Sequence, residues 1–190
     1  MFIEPYEDFF SLSLPKMSVD FDALEWHQYN PRKEINRWGS SITSLDGMNT
    51  GIPDLDSLYE YNRIHGTTYQ EGDFRTLTDS GKKYFEILLQ NFDIGRSHFI
   101  KLGAGGYFPF HRDLGTDSFR LIYCVENCHP QNFVWIQNGR TLSMQDGSWY
   151  YVNTKIPHAT FAFQPCVFAV FNVINNKKSF DGLRKHLAIK

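Results

Sequence analysis

His98-Phe99-Ile100-Lys101-Leu102, followed by Gly103-Ala104-Gly105-Gly106 and then by Tyr107-Phe108-Pro109-Phe110-His111-Arg112-Asp113, is the run on which the fold turns. A short β-rich segment meets a glycine-rich turn, and a second strand-like segment leaves it. In extended chain, residues i and i+2 share a face, so the His111 imidazole and the Asp113 carboxylate project into the same space. Beyond this run the pattern repeats. Residues 119–125, 133–136, 148–152, 159–164 and 167–173 are short and rich in β-branched and aromatic side chains. Asn138-Gly139, Asp146-Gly147 and Gln164-Pro165 stand between them as turn signals. Several short antiparallel strands at this spacing imply a mainly β (α+β) protein, built as a jelly-roll barrel.

Toward the N-terminus the periodicity becomes helical. Pro53 suits a first helical turn, Leu55, Leu58 and Tyr59 follow helical spacing and Gly66 suits a stop, which predicts a helix over 53–65. Thr78-Asp79-Ser80 supplies capping residues for a second helix carrying Phe85, Leu88, Leu89 and Phe92 on one face. No repeat or low-complexity linker divides the chain, so one domain is expected over 1–190: a helical flank and cover to residue 95, a jelly-roll core over 96–175 and a C-terminal segment from 176.

Composition narrows the functional classes. Of the 190 residues, 42% are hydrophobic and 16% aromatic, enough for one sizeable core. The formal charge of −2, with Lys and Arg dispersed among acids, lacks the footprint of a nucleic-acid binder. The start lacks a basic segment before an apolar one, and no apolar run reaches bilayer-spanning length, so no membrane partner and a cytoplasmic location are expected. Cys124, Cys128 and Cys166 are too few and too odd in number for a disulfide scaffold, which fits a reducing compartment.

A lone His-x-Asp says little. Here a second histidine, His158, opens another strand after the Asp146-Gly147 turn and a Trp-Tyr-Tyr run. Two imidazoles and one carboxylate form the facial triad that leaves open positions on iron(II). Singly, His111 also reads as a core or turn histidine, Asp113 as a turn or cap residue and His158 as support for the Pro157 turn. Arg120 lies on the strand between the ligands, and a guanidinium in an apolar strand needs an anion. A dicarboxylate cosubstrate or a structural salt bridge would each supply one.

The pattern Lys101-Leu-Gly-Ala-Gly-Gly…His111-Arg-Asp113…Arg120…Gly147…His158 resembles the aspartyl/asparaginyl β-hydroxylase and proline-hydroxylase-like group of 2-oxoglutarate oxygenases. The resemblance covers about the last half of the chain. It implies a double-stranded β-helix in which His111, Asp113 and His158 hold Fe(II). The cosubstrate 2-oxoglutarate would chelate that metal and be converted with O2 to succinate and carbon dioxide while a C–H bond is hydroxylated. The substrate implied is an amino acid or a peptide side chain. One departure stands out: where the group carries a second arginine for the far carboxylate, this chain has Phe168. Either Arg120 makes the only strong contact, or Lys101 substitutes, or 2-oxoglutarate is not the ligand. Residues 103–106, Tyr107 and Arg112 border the expected entrance, with 32–47 as a cover.

Other readings stay open. A metal cupin dioxygenase working without 2-oxoglutarate would use Arg120 for its substrate's own acid, and a non-catalytic accessory barrel would not need its ligands. Cys124, Cys128, His129 and Cys166 have zinc-compatible spacing. His27, His65, His98 and His186 read as packing or surface residues, and Phe161, Phe163, Phe168 and Phe171 as barrel core.

Overall fold

The computed structural model describes residues 9–29, 35–113 and 117–187. Its strands are β1 (Phe9–Leu12), β2 (His27–Gln28), β3 (Arg37–Ser41), β4 (Thr43–Ser44), β5 (Thr76–Leu77), β6 (His98–Leu102), β7 (Tyr107–His111), β8 (Ser118–Glu126), β9 (Phe133–Gln137), β10 (Arg140–Leu142), β11 (Trp149–Val152), β12 (His158–Ala162) and β13 (Cys166–Ile174). Three α-helices accompany them: α1 (Leu58–His65), α2 (Asp79–Phe85) and α3 (Lys177–Lys185). No described helix is long and apolar enough to cross a membrane.

From β6 onward the chain passes back and forth between two antiparallel sheets, the β9–β10 hairpin alone keeping two successive strands in one of them. One has the order β1-β11-β8-β13-β6-β3-β2 and the other β10-β9-β12-β7. This is the wiring of a double-stranded β-helix, a cupin-like jelly roll. Positive φ at Asn138 (50°) and Gly139 (73°) closes the β9–β10 hairpin, with Gln137 opposite Arg140, as a two-residue turn that follows the twist of the strands.

The larger sheet is buried on both faces, which explains its long continuous apolar runs. On β8, Leu121 and Tyr123 point to an outer core, while Ile122 and Cys124 point into the barrel. β13 divides in the same way, with Ala169, Phe171 and Val173 outside and Phe168 inside. The outer core is covered by α2, by the 3-10 turn Glu86–Gln90 that continues it, and by α3. Phe85 is its hub, with ring centroids 4.8 Å from Phe171, 5.4 Å from Phe99 and 6.0 Å from Trp149. Thr78 caps α2 by accepting from the Gly81 amide, as its sequence predicts.

Two expectations are corrected. Residues before 95 do more than flank the barrel, because β1, β2 and β3 extend the larger sheet at both edges. The strand β3, Arg-Trp-Gly-Ser-Ser, has no hydrophobic alternation. It is held by its ladder to β6 and by polar contacts such as the Ser41 hydroxyl to Asp54 at 2.9 Å. The first helix begins at Leu58, not 53. Ser57 is its cap, Leu55 is buried in the preceding turn, and Pro53 follows a cis bond there; Gly66 ends the helix as expected, at φ 66°. The aromatic series also divides. Phe168 and Phe171 are buried, but Phe161 and Phe163 lie 38% and 51% exposed, packed on each other outside the smaller sheet.

Candidate metal centre

His111 ends β7 and His158 begins β12, and the two residues are direct partners in the ladder. Their rings lie 4.2 Å apart. Asp113 follows β7, where its amide donates to the Thr154 carbonyl at 2.9 Å and its carbonyl accepts from the Lys155 ammonium at 2.8 Å. One ligand atom from each of His111, Asp113 and His158 falls within 4.8 Å of the others. Among the described residues this is the group of three His, Cys, Asp or Glu side chains gathered at metal-binding distance.

The imidazoles are oriented for this role. His111 Nδ1 donates to the Pro109 carbonyl at 2.7 Å and His158 Nδ1 to the Ile156 carbonyl at 3.0 Å, since a carbonyl can only accept. Each ring is therefore the tautomer whose Nε2 lone pair is free, which is how metal-binding histidines are prepared. His111 Nε2 stands 3.6 Å from Asp113 Oδ1. The Trp135 ring stacks on His158 at 5.5 Å and 6°, and its own N–H is held by Gln137. Burial, reinforced by the nearby His111 and Arg120, lowers the His158 pKa and keeps it a neutral donor. Burial pushes the Asp113 carboxyl up, but Arg120, the two histidines and Thr154 outweigh it and hold the group ionised. Two imidazoles presenting Nε2, beside an ionised carboxylate, suit a divalent cation.

Arg120 is partnered within the protein. Its Nη2 lies 3.1 Å from Asp113 Oδ2, and its Nη1 donates to Ser118 Oγ at 3.1 Å and to the Asn172 side-chain oxygen. The chain continues outward: the Asn172 amide donates to Glu71 Oε2, and Glu71 forms a two-point pair with Arg96 at 2.8 and 2.9 Å. Glu71, Arg96 and Asn172 are residues that the sequence reading missed. Scattered over a 3-10 turn, the loop before β6 and β13, they share no motif, and only the folded chain brings them beside Arg120.

Two cavities meet at the cluster. An inner chamber of about 280 Å³ lies between the sheets and includes His98, Ile100, Arg120, Trp135, Thr160 and Phe168 in its wall. An outer groove of about 750 Å³ runs past Tyr29, Arg37, Asp56, Tyr59, Tyr69 and Arg75. His111 and Asp113 border both, whereas His158 borders only the chamber.

Lys101 is corrected. It alternates with Ile100 and Leu102 on β6, so it leaves the barrel on the opposite face, where its ammonium stands 4.6 Å from the Trp26 ring. It borders neither cavity. Arg112 and Tyr107 are both exposed; Arg112 borders the chamber, while Tyr107 lines neither cavity. Of the expected cover over 32–47, residues 32–34 lie outside the described residues, and Arg37 borders the groove with its guanidinium 4.1 Å from the Phe108 ring. His98, expected to pack or lie at the surface, lines the chamber. The three cysteines are buried in the barrel interior, where Cys128 Sγ donates to the Val167 carbonyl at 3.1 Å and burial pushes its thiol well up. His129 turns away to Asn132 at 3.0 Å.

No protein-family model matches the chain, and no curated protein matches it. Solved structures do. A salicylate 1,2-dioxygenase variant from Pseudoaminobacter salicylatoxidans is 16% identical at a TM-score of 0.34, over 48% of this chain and 24% of that one. A "predicted oxalate decarboxylase" from Thermotoga maritima is 14% identical at 0.36, over 47% and 72%. An RmlC-like cupin from Shewanella frigidimarina is 12% identical at 0.35, over 45% and 76%. Each likeness covers about half of this chain, so the double-stranded β-helix rests on strand order and register, and the metal centre on its own geometry.

Proposed function

We propose that this protein is an Fe(II)- and 2-oxoglutarate-dependent dioxygenase that hydroxylates a C–H bond of an amino acid or of a peptide side chain. One observation carries the reading: the His111–Asp113–His158 cluster stands where a small chamber meets a wide groove. A reaction that brings a small cosubstrate and a larger substrate to one metal needs two such compartments, and a site for one organic ligand does not.

The donor set fits the metal, with two free Nε2 lone pairs and an ionised carboxylate gathered on one side of the barrel. Iron(II) held there supplies activation of dioxygen and oxidation of a substrate C–H bond. The chain's own residues orient and shield. The Pro109 and Ile156 carbonyls fix the imidazoles, Arg120 fixes one oxygen of Asp113, and Trp135 covers the His158 face. Asp56, Arg75 and Arg37 set charges of both signs beside the Tyr29 and Tyr69 rings in the groove, which suits a zwitterionic or peptide-like substrate.

Two facts favour a second reading, a metal cupin dioxygenase that does not use 2-oxoglutarate. Phe168 occupies the chamber wall where the resembled group has its second arginine, and Arg120 is already paired with Asp113. The deciding assay supplies iron(II) and a panel of free amino acids and short peptides, and follows oxygen uptake with and without 2-oxoglutarate. Succinate formed in step with oxygen uptake, and lost in His111→Ala, supports the first reading. Uptake independent of 2-oxoglutarate replaces it with the second. A barrel whose biological function survives His111→Ala would be an accessory protein.

A further inference from the structure

Most polar groups of the inner chamber are matched within the protein: Arg120 to Asp113 and Asn172, and Arg96 to Glu71. Two are not. Thr160 and His98 are 4% and 5% exposed, and Thr160 Oγ1 and His98 Nδ1 are buried without a hydrogen-bond partner. Buried side-chain polar atoms in native proteins are nearly always satisfied, and an exception asks for a reason.

Their placement supplies one. Thr160 is two residues beyond His158 on β12, so it faces the chamber one step deeper than that ligand. His98 stands in the opposite wall, on β6 of the larger sheet. Ile100, Phe168 and Val170 line the same space with hydrocarbon. A ligand reaching inward from the cluster thus passes apolar walls and meets one hydroxyl and one imidazole.

We propose that His98 and Thr160 are the hydrogen-bond anchors for the distal carboxylate of a 2-oxo acid whose keto-acid end faces His111, Asp113 and His158, taking the place of the absent second arginine. This rests on the 2-oxoglutarate reading and assigns to this chain's own residues the end of the cosubstrate that Phe168 leaves unaccounted for. Burial, with Arg96 and Arg120 nearby, holds the His98 pKa well below its usual value, so the ring is neutral and offers one N–H, which the proposal places on Nδ1. At about 280 Å³ the space falls just below the range of sites for drug-sized ligands, as befits a small acid.

The test uses the full chain loaded with iron(II) under anaerobic conditions, with the visible absorption of the iron–keto-acid chelate as readout. It is titrated with 2-oxoglutarate and with 2-oxobutanoate, which has the same head but no distal carboxylate. Thr160→Val is close to isosteric, Thr160→Ser keeps the hydroxyl, and His98→Leu removes the ring donor. Thr160→Val and His98→Leu should each weaken 2-oxoglutarate about 10- to 100-fold, as expected for loss of a hydrogen bond to a charged group, and leave 2-oxobutanoate within about twofold. Thr160→Ser should bind as the parent does. If the parent forms the chelate but neither variant changes 2-oxoglutarate affinity, or both acids weaken equally, the anchor assignment is wrong while the cosubstrate reading stands. If the iron-loaded parent forms no chelate with either acid, both are wrong.

Discussion

Replacing Arg96 by Met separates the stability of the site's polar network from its chemistry. The guanidinium pairs with both Glu71 oxygens at 2.8 and 2.9 Å and donates to the carbonyls of Asp54 at 3.2 Å and Asp56 at 2.8 Å. The two side chains are only 11% and 17% exposed. Removing one partner of such a pair strands the other charge, which costs about 3–5 kcal/mol when burial is complete, and about 3 kcal/mol is expected for this nearly buried pair beside a cavity. In urea, with a slope of about 2 kcal/mol/M, the midpoint should fall by about 1.5 M at pH 7. The deficit should also depend on pH. In the parent, burial raises the Glu71 pKa but Arg96 foremost, with Arg120 and Asn172, brings it below its ordinary value. The group therefore contributes stability above the ordinary carboxyl range, which is lost as pH falls through the depressed folded value. Without Arg96, burial dominates and the folded pKa lies above the unfolded one, so acidification relieves the stranded charge. The gap between parent and variant should shrink from pH 7 toward pH 5. A midpoint within about 0.3 M of the parent at pH 7, or an equal deficit at both pH values, would show that Glu71 does not depend on Arg96 in this way.

Three further outcomes are expected in the same unfolding assay. Phe85→Ala, at the hub of the outer core, should cost about 3–5 kcal/mol, and a loss under about 1 kcal/mol would show that the helices do not pack on the sheet as described. Gly81→Ala in α2 should destabilise by about 1–3 kcal/mol although alanine ordinarily favours a helix, because its Cβ would collide with the Ile42 carbonyl oxygen; a gain in stability would contradict that contact. Phe163→Ser, at an exposed position outside the smaller sheet, should shift stability by no more than about 0.5 kcal/mol, and a core-sized loss would restore it to the barrel interior.

What the sequence disclosed follows its physics closely. The six β-rich runs after residue 97 coincide with β6, β8, β9, β11, β12 and β13 to within a residue or two because turn chemistry marks their ends; Asn138-Gly139 is the clearest case. The His111–Asp113–His158 cluster was legible because two ligands share one strand-like segment and the third opens another. Hydrophobicity alone did not separate the aromatics. Phe161 and Phe163 carry the same apolar signal as Phe168 and Phe171 but belong to a sheet whose outer face is open. Lys101 was misplaced for want of the strand's phase: Ile100 and Leu102 face the barrel, so the residue between them cannot. Glu71, Arg96, Asn172 and Thr160 went unnoticed, and His98 read as a packing or surface residue, for a different reason. Each is an ordinary polar residue in sequence, and becomes part of a site only when elements distant along the chain converge.

On the proposed reading, His111, Asp113 and His158 together hold one metal ion. The most direct test is anaerobic equilibrium dialysis of the full chain against iron(II), repeated with His111→Ala, Asp113→Ala and His158→Ala after circular dichroism has shown each variant folded. One tightly bound ion per parent chain is expected, with a loss of about 10-fold or more in affinity in every variant. Tight binding that survives all three substitutions, or none in the parent, would contradict that reading.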